Sequence, residues 1–129
     1  MINTHTNNKQ ESEQKTCADE VQGYFDSRML DIRTLFNAED NQTEELGSLN
    51  EYGLCIDFVE AGTFQDQRED FWRYQLSYGG GQEEFRVYKN GDVEFWYLDW
   101  FDGACIPVVG EDASIIKEIV SWKFPEVSQ

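Results

Sequence analysis

Basic residues are scarce in this sequence. Lysine and arginine number 10 against 26 aspartates and glutamates, a formal charge of −16 over 129 residues. That balance argues against direct binding of DNA, RNA or an anionic membrane, each of which needs cations to neutralise phosphate. It makes a basic protein the natural partner. Histidine is scarcer still, with His5 the only one. A cysteine or serine nucleophile needs a base beside it, so Cys–His and Ser–His chemistry is not expected, and histidine-built zinc sites fall with it. The three cysteines, Cys17, Cys55 and Cys105, are odd in number, widely spaced and without a CxxC pair. They suggest neither a disulfide framework nor a zinc site, and read as reduced thiols, Cys55 buried in a strand, Cys105 buried beside another and Cys17 reactive near a polar tail.

Long apolar runs are missing too. Nothing approaches the roughly 20 residues that span a bilayer, and no charged-then-apolar signal opens the sequence, so a cytoplasmic protein with no membrane partner is expected. Gly79-Gly80-Gly81 lacks the lysine and helix of a phosphate-cradling loop and reads as a turn. QDQRED and LDWFDG offer oxygen ligands without the spacing of an EF-hand. Asn41-Gln42-Thr43 matches the glycosylation sequon but, without an export signal, reads as chance. No cofactor, metal or catalytic residue is implied. Because carboxylates are so numerous, some pair must lie close, and an enzyme built on carboxylates and a divalent metal stands as an alternative from a different class.

What is present is an α+β domain. Residues 1–16, rich in Asn, Gln and Thr and free of aromatics, read as a disordered polar tail, and 17–129 as a single domain. Thr16 with Asp19 three residues on is a helix-start signal, and apolar residues from Val21 to Phe36 form one stripe of a helix over about 18–38. The polar segment AEDNQTEELGSLNE reads as a loop with one helical turn at Thr43–Leu46. From Leu54 the period changes to two, and four or five runs alternate as strands. Asn90-Gly91 marks a hairpin, making the sheet an antiparallel meander. Pro107 confines the last short strand, ACIPVV, to an edge or an irregular end. A helix opened by Glu111 and Asp112 and stopped by Pro125 closes the chain. One N-terminal and one C-terminal helix are expected on the same face of the sheet.

Alternation assigns Leu54, Ile56, Phe58, Trp72, Tyr74, Leu76, Tyr78, Phe85, Val87, Trp96, Leu98 and Trp100 to the core face. The opposite face then mixes rings with charges of both signs: Asp57, Phe71, Gln75 and Glu84 with the candidate partner-binding residues Arg73, Arg86, Tyr88, Phe95, Tyr97 and Asp99. An open face of that kind suits recognition or pairing of two copies, so a monomer or a homodimer is expected. Truncating Trp96 is expected to unfold the domain and truncating Tyr97 to spare it.

The acids are uneven: nine between Asp19 and Glu51 against two arginines, eleven between Asp57 and Asp102 against four basic residues. No strand carries the alternating acids that would repeat at about phosphate spacing. The acidic partner-binding candidates are therefore helix and loop residues: Asp19, Glu20, Asp26, Glu39, Asp40, Glu44, Glu45, Asp66, Glu69 and Asp70. Two binding readings follow, a mimic of the nucleic-acid backbone that inhibits a basic nucleic-acid-handling protein, and an immunity protein that neutralises a basic toxin. The bland reading is that acidity keeps an aromatic-rich domain soluble.

Two stretches, EYGLCIDFVEAGTFQDQREDFWRYQLSYGGGQEEFRVY and FWYLDWFDGA, resemble a family of small acidic proteins associated with plasmids and integrative elements. The resemblance carries over no activity and no functional residue. It implies a setting in which acidic proteins block restriction, CRISPR or similar machinery, and so favours the mimic over the immunity reading.

Overall fold

The computed structural model describes residues 15–128; the tail expected over 1–16 lies, up to residue 14, outside them. Helix α1 spans Cys17–Asn37. Thr16 caps it through a reciprocal box, the Asp19 N–H donating to Thr16 Oγ1 at 3.2 Å and the Thr16 N–H to Asp19 Oδ2 at 3.1 Å. Its inward stripe is Cys17, Val21, Met29, Ile32 and Leu35. At its other end the Asn41 amide donates to the carbonyls of Leu35 and Phe36, and the Leu35 carbonyl also accepts from the Ala38 N–H at 3.2 Å.

The expected loop after α1 is more structured than its polarity suggests. A 3-10 turn at Glu39–Asn41 leads into a ribbon of β1 (Gln42–Thr43) and β2 (Gly47–Ser48), then a short helix α2 at Leu49–Tyr52. Thr43–Leu46 closes the ribbon instead of forming a helical turn, with the Leu46 N–H donating to Thr43 Oγ1.

The main sheet runs β3 (Cys55–Val59), β4 (Phe71–Gln75), β5 (Gln82–Tyr88), β6 (Val93–Asp99) and β7 (Asp102–Val108), each antiparallel to the next. It is the expected meander, with Pro107 on the edge strand β7. Helix α3, Gly110–Ser121, buries Ala113, Ile115, Ile116, Ile119 and Val120. Both long helices cover one face, where Trp72, Tyr74, Phe85, Val87, Val93, Phe95 and Tyr97 complete a single core with their stripes. Among the described residues no helix is long and apolar enough to cross a membrane.

Strand β6 faces the other way from its expected phase. Phe95 and Tyr97 are core residues, whereas Trp96 and Leu98 lie half-buried on the second face. The cause is the length of the turn. A two-residue turn at Asn90-Gly91 would pair Phe85 with Trp96; instead Tyr88 receives a bond from the Gly91 N–H and donates to Asp92 at 2.9 Å each, so Lys89, Asn90 and Gly91 form a three-residue loop. Gly91 takes the left-handed conformation, φ +96°, that such a loop requires. Phe85 then pairs with Phe95. A one-residue shift turns every β6 side chain over.

Other core expectations failed at strand ends. Leu54 and Tyr78 are exposed, and Trp100 lies in the β6–β7 turn with most of its surface in water. Among the thiols Cys17 is buried at the foot of α1 while Cys55 and Cys105 are exposed, the reverse of the expected pattern. Cys55 and Cys105 sit on the two outermost strands of the sheet, which have a neighbour on one side only.

Candidate functional site

The second face of the sheet is the side away from the helices. Strand register aligns Asp57, Arg73, Arg86 and Glu94 in one row across it, and Gln75, Glu84 and Trp96 in the next. The β3–β4 connection rises beside these rows and closes a groove of about 980 Å³, walled by residues 63–69 and floored by Phe71, Arg73, Gln75, Glu84, Arg86, Tyr88, Trp96 and Leu98. That wall is an ordered loop. The Ala61 N–H donates to Asp70 Oδ1 at 2.7 Å, the Gly62 N–H to the Gln67 carbonyl at 3.0 Å, and the Phe64 N–H to Gln67 Oε1 at 3.0 Å.

Glu84 is fully buried at the centre of the floor. A buried carboxylate is tolerated only with partners, and both oxygens have them: Gln82 Nε2 donates to Oε1 and Arg86 Nε to Oε2, each at 2.6 Å. The Arg86 guanidinium also lies 4.0 Å from the Trp96 ring centre and 4.5 Å from that of Phe71. Its hydrogen bond and its ring contacts hold it in one place. Arg73 makes a two-pronged pair with Asp57 at 3.0 and 2.8 Å, which holds its guanidinium above its ordinary range. Tyr88 and the Trp96 indole both donate to Glu94 Oε1, at 2.7 and 2.9 Å. Burial, then the bond to Glu94, pushes the Tyr88 phenol up to about 12. The floor is therefore preorganised, and its polar groups are largely spent on one another.

Of the sheet-face candidates, Arg73, Arg86 and Tyr88 come together here. Phe95 and Tyr97 do not, because the three-residue turn places them in the core, Tyr97 stacked on Tyr24 at 4.4 Å. Asp99 ends β6 on the helix side, beside Cys17. Trp96, Leu98, Glu84 and Phe71 belong to the groove and were not among the candidates. Trp96 and Leu98 were hidden by the register; Phe71 and Glu84 were on the right face by alternation, and only their placement under Arg86 gives them a role.

The acidic candidates divide into separate groups. Asp66 and Glu69 stand on the groove wall. Asp70 is tied down, its carboxyl lowered first by the Ala61 N–H and then by Lys89, 2.9 Å away. Asp19, Glu20 and Asp26 lie on the first half of α1, on the other side of the sheet. Glu39, Asp40, Glu44 and Glu45 are exposed beyond its C-terminus. With α1 21 residues long, Asp19 near its start and Glu39 just past its end stand about 30 Å apart, with Asp26 between them. Asp19 serves the helix cap and Asp26 accepts from Gln22 Nε2 at 2.9 Å.

The arginines near these acids are engaged elsewhere. Arg28 forks onto Glu83 at 2.8 and 3.1 Å and donates to Tyr52, which holds its guanidinium far up. Arg33 pairs with Asp112 at 2.9 Å, bridging α1 to α3. Among the described residues no group of three or more His, Cys, Asp or Glu is arranged to hold a metal ion.

No family model, curated protein or solved structure matches this chain.

Proposed function

We propose that the chain is a non-catalytic acidic inhibitor that binds a basic nucleic-acid-handling protein, presenting carboxylates where that protein expects phosphate. One observation carries the reading. Arg28 pairs with Glu83, Arg33 with Asp112, Arg73 with Asp57 and Glu84, and Arg86 with Glu84, while Asp19, Glu20, Asp26, Glu39, Asp40, Glu44 and Glu45 make no ion pair among the described residues. A domain that needed acids only for its own architecture would spread its cations among them. Here these four arginines serve the fold and the excess of acid is left for an outside field, which accelerates encounter with a basic partner. Spacing over about 30 Å suits a long basic groove better than a small pocket. The resemblance to acidic proteins of mobile elements supports a target in restriction, CRISPR or related machinery.

The test is capture from the native host at low and high salt, followed by competition. The captured protein should be basic, should be released as the Debye length falls from roughly 10 Å at about 0.1 M to about 3 Å at about 1 M, and should lose its nucleic acid when this protein is added. A captured toxin whose active site is plugged without nucleic-acid competition would replace the mimic by the immunity reading. A partner that is not basic would end both.

A further inference from the structure

At the end of the groove, where Tyr78 lines it, the molecule carries an exposed aromatic cluster. Tyr78 is 79 % exposed, Trp100 86 % and Phe101 fully so. They occupy two neighbouring turns. Trp100 and Phe101 are the whole of the β6–β7 connection, closed by the Asp99–Asp102 pair. Tyr78 lies in the β4–β5 connection, where a Cβ on Gly80 would stand 3.6 Å from Trp100 Nε1 and 3.7 Å from Asp99 Oδ1. Two-residue hairpin turns draw on Gly and Asn because they need a positive φ. Trp100 adopts φ +48° despite its large side chain. Folding gains nothing from rings left in water, and backbone strain of this kind gathers at functional sites.

The rim of the cluster is acidic and fixed. Asp102 accepts from the Cys17 N–H at 2.8 Å and from the Gly103 N–H at 2.9 Å, which pins the turn to the foot of α1. Asp99 lies beside Cys17, and Glu20 and Asp99 lie near the Tyr97 phenol. Rings at the centre, carboxylates around them and a rigid backbone are the anatomy of an interface hot spot.

We infer that Tyr78, Trp100 and Phe101 form the anchor by which this protein docks on a basic protein whose contact surface carries arginine beside apolar side chains. The inference rests on the reading of the chain as an acidic binding protein and names the surface that reading requires. Arginine is the matching chemistry because its flat cation stacks on indole and phenyl rings while its N–H groups fork onto carboxylates. The floor of the groove already uses that pairing internally, with Arg86 over Trp96 and Phe71.

Two equally charged synthetic peptides test it, one alternating arginine and leucine, the other lysine and glycine, each titrated at low salt and followed by anisotropy. The protein should bind the arginine–leucine peptide roughly tenfold or more tightly than the other. In the double variant Trp100→Ala with Phe101→Ala that preference should vanish, with lysine–glycine binding unchanged and the melting temperature held, since neither ring is buried. Equal affinity of the unaltered protein for both peptides would overturn the anchor while leaving the acidic reading standing. Binding of neither peptide would overturn that reading and the anchor with it. Sedimentation decides a third outcome: a dimer that the double variant turns into a monomer would make the occupant a second copy of this chain and overturn the basic partner.

Discussion

The two faces of the sheet solve opposite problems with similar residues. On the helix face, rings meet rings: Phe85 and Phe95 pack at 5.0 Å between centroids, and Phe25 closes on both. On the groove face, rings meet charges, and Arg86 between Glu84, Trp96 and Phe71 replaces apolar packing with a hydrogen-bonded cation. The first face is stabilised by area removed from water and is indifferent to orientation. The second depends on every polar group keeping its partner. One strand, β6, serves both, and its alternate residues should respond differently to the same truncation.

The largest effect is expected on the helix face. Phe95→Ala removes a ring with no exposure from the middle of the core and should cost about 3–5 kcal/mol, a large part of the stability of so small a domain. Trp96→Ala, one residue along, loses a half-buried ring and its stack with Arg86 and should cost about 1–2 kcal/mol. Thermal melts of the two variants measure the difference. Should Trp96→Ala be the more damaging, the three-residue turn at Lys89–Gly91 and the register built on it are wrong.

Arg86→Met should cost about 3 kcal/mol by leaving Glu84 in the groove floor without its cation, Arg73 standing 4.0 Å away. Adding Glu84→Gln should recover most of that loss, because the uncompensated charge is gone. A double variant as unstable as the single would mean that Arg86 matters through packing against Phe71 and Trp96 rather than through charge.

Much of this architecture was legible from the residues. The capping box at Thr16, the apolar stripe of α1 and the change to alternation at Leu54 are local signals, and local signals survive folding; the last helix ends at Ser121, before Pro125, which opens a 3-10 turn. Register is not local. Asn90-Gly91 announces a hairpin but not whether two or three residues close it, and that single residue exchanged Trp96 for Phe95 in the core. With rings on both faces of β6, alternation had no polar side to choose by. Charge showed a similar limit: the acids could be counted, but which of them Arg28, Arg33, Arg73 and Arg86 would neutralise is decided by contacts as distant as Arg33 to Asp112.

A smaller effect separates the buried thiol from the exposed ones. Cys55 and Cys105 should react with a thiol reagent in the native protein, and Cys17 only on unfolding. Burial, with Asp102 and Asp99 adding to it, pushes the Cys17 thiol from 9.0 up to about 11. The unfolded chain therefore loses this proton first as pH rises. The stabilisation is intact below pH 9 and declines through about pH 11, with Tyr52 and Tyr88, held at about 12, adding losses of the same sign above pH 10. Cys17→Ala should flatten the part of the stability curve between pH 9 and 10. An unchanged slope there would assign the decline to other groups.

The smallest effect belongs to the residues with the largest functional claim. Reversing Glu39, Asp40, Glu44 and Glu45 to lysine touches no ion pair among the described residues and should change stability by no more than about 0.5 kcal/mol per site at the three glutamates, with a cost of about 1 kcal/mol at Asp40, whose left-handed backbone, φ +59°, suits aspartate better than lysine. Binding should respond quite differently: association with a basic partner or peptide should slow as it does at high salt, and the remaining salt dependence should shrink. The two measurements together separate function from solubility. If reversal leaves both stability and association unchanged while the protein becomes prone to precipitate, these acids serve only to keep an aromatic-rich surface apart from its copies. If association slows while stability holds, the acids beyond α1 act at a distance and the rings at the β6–β7 turn act on contact, and the double variant of Trp100 and Phe101 should then raise the dissociation rate without lowering the association rate.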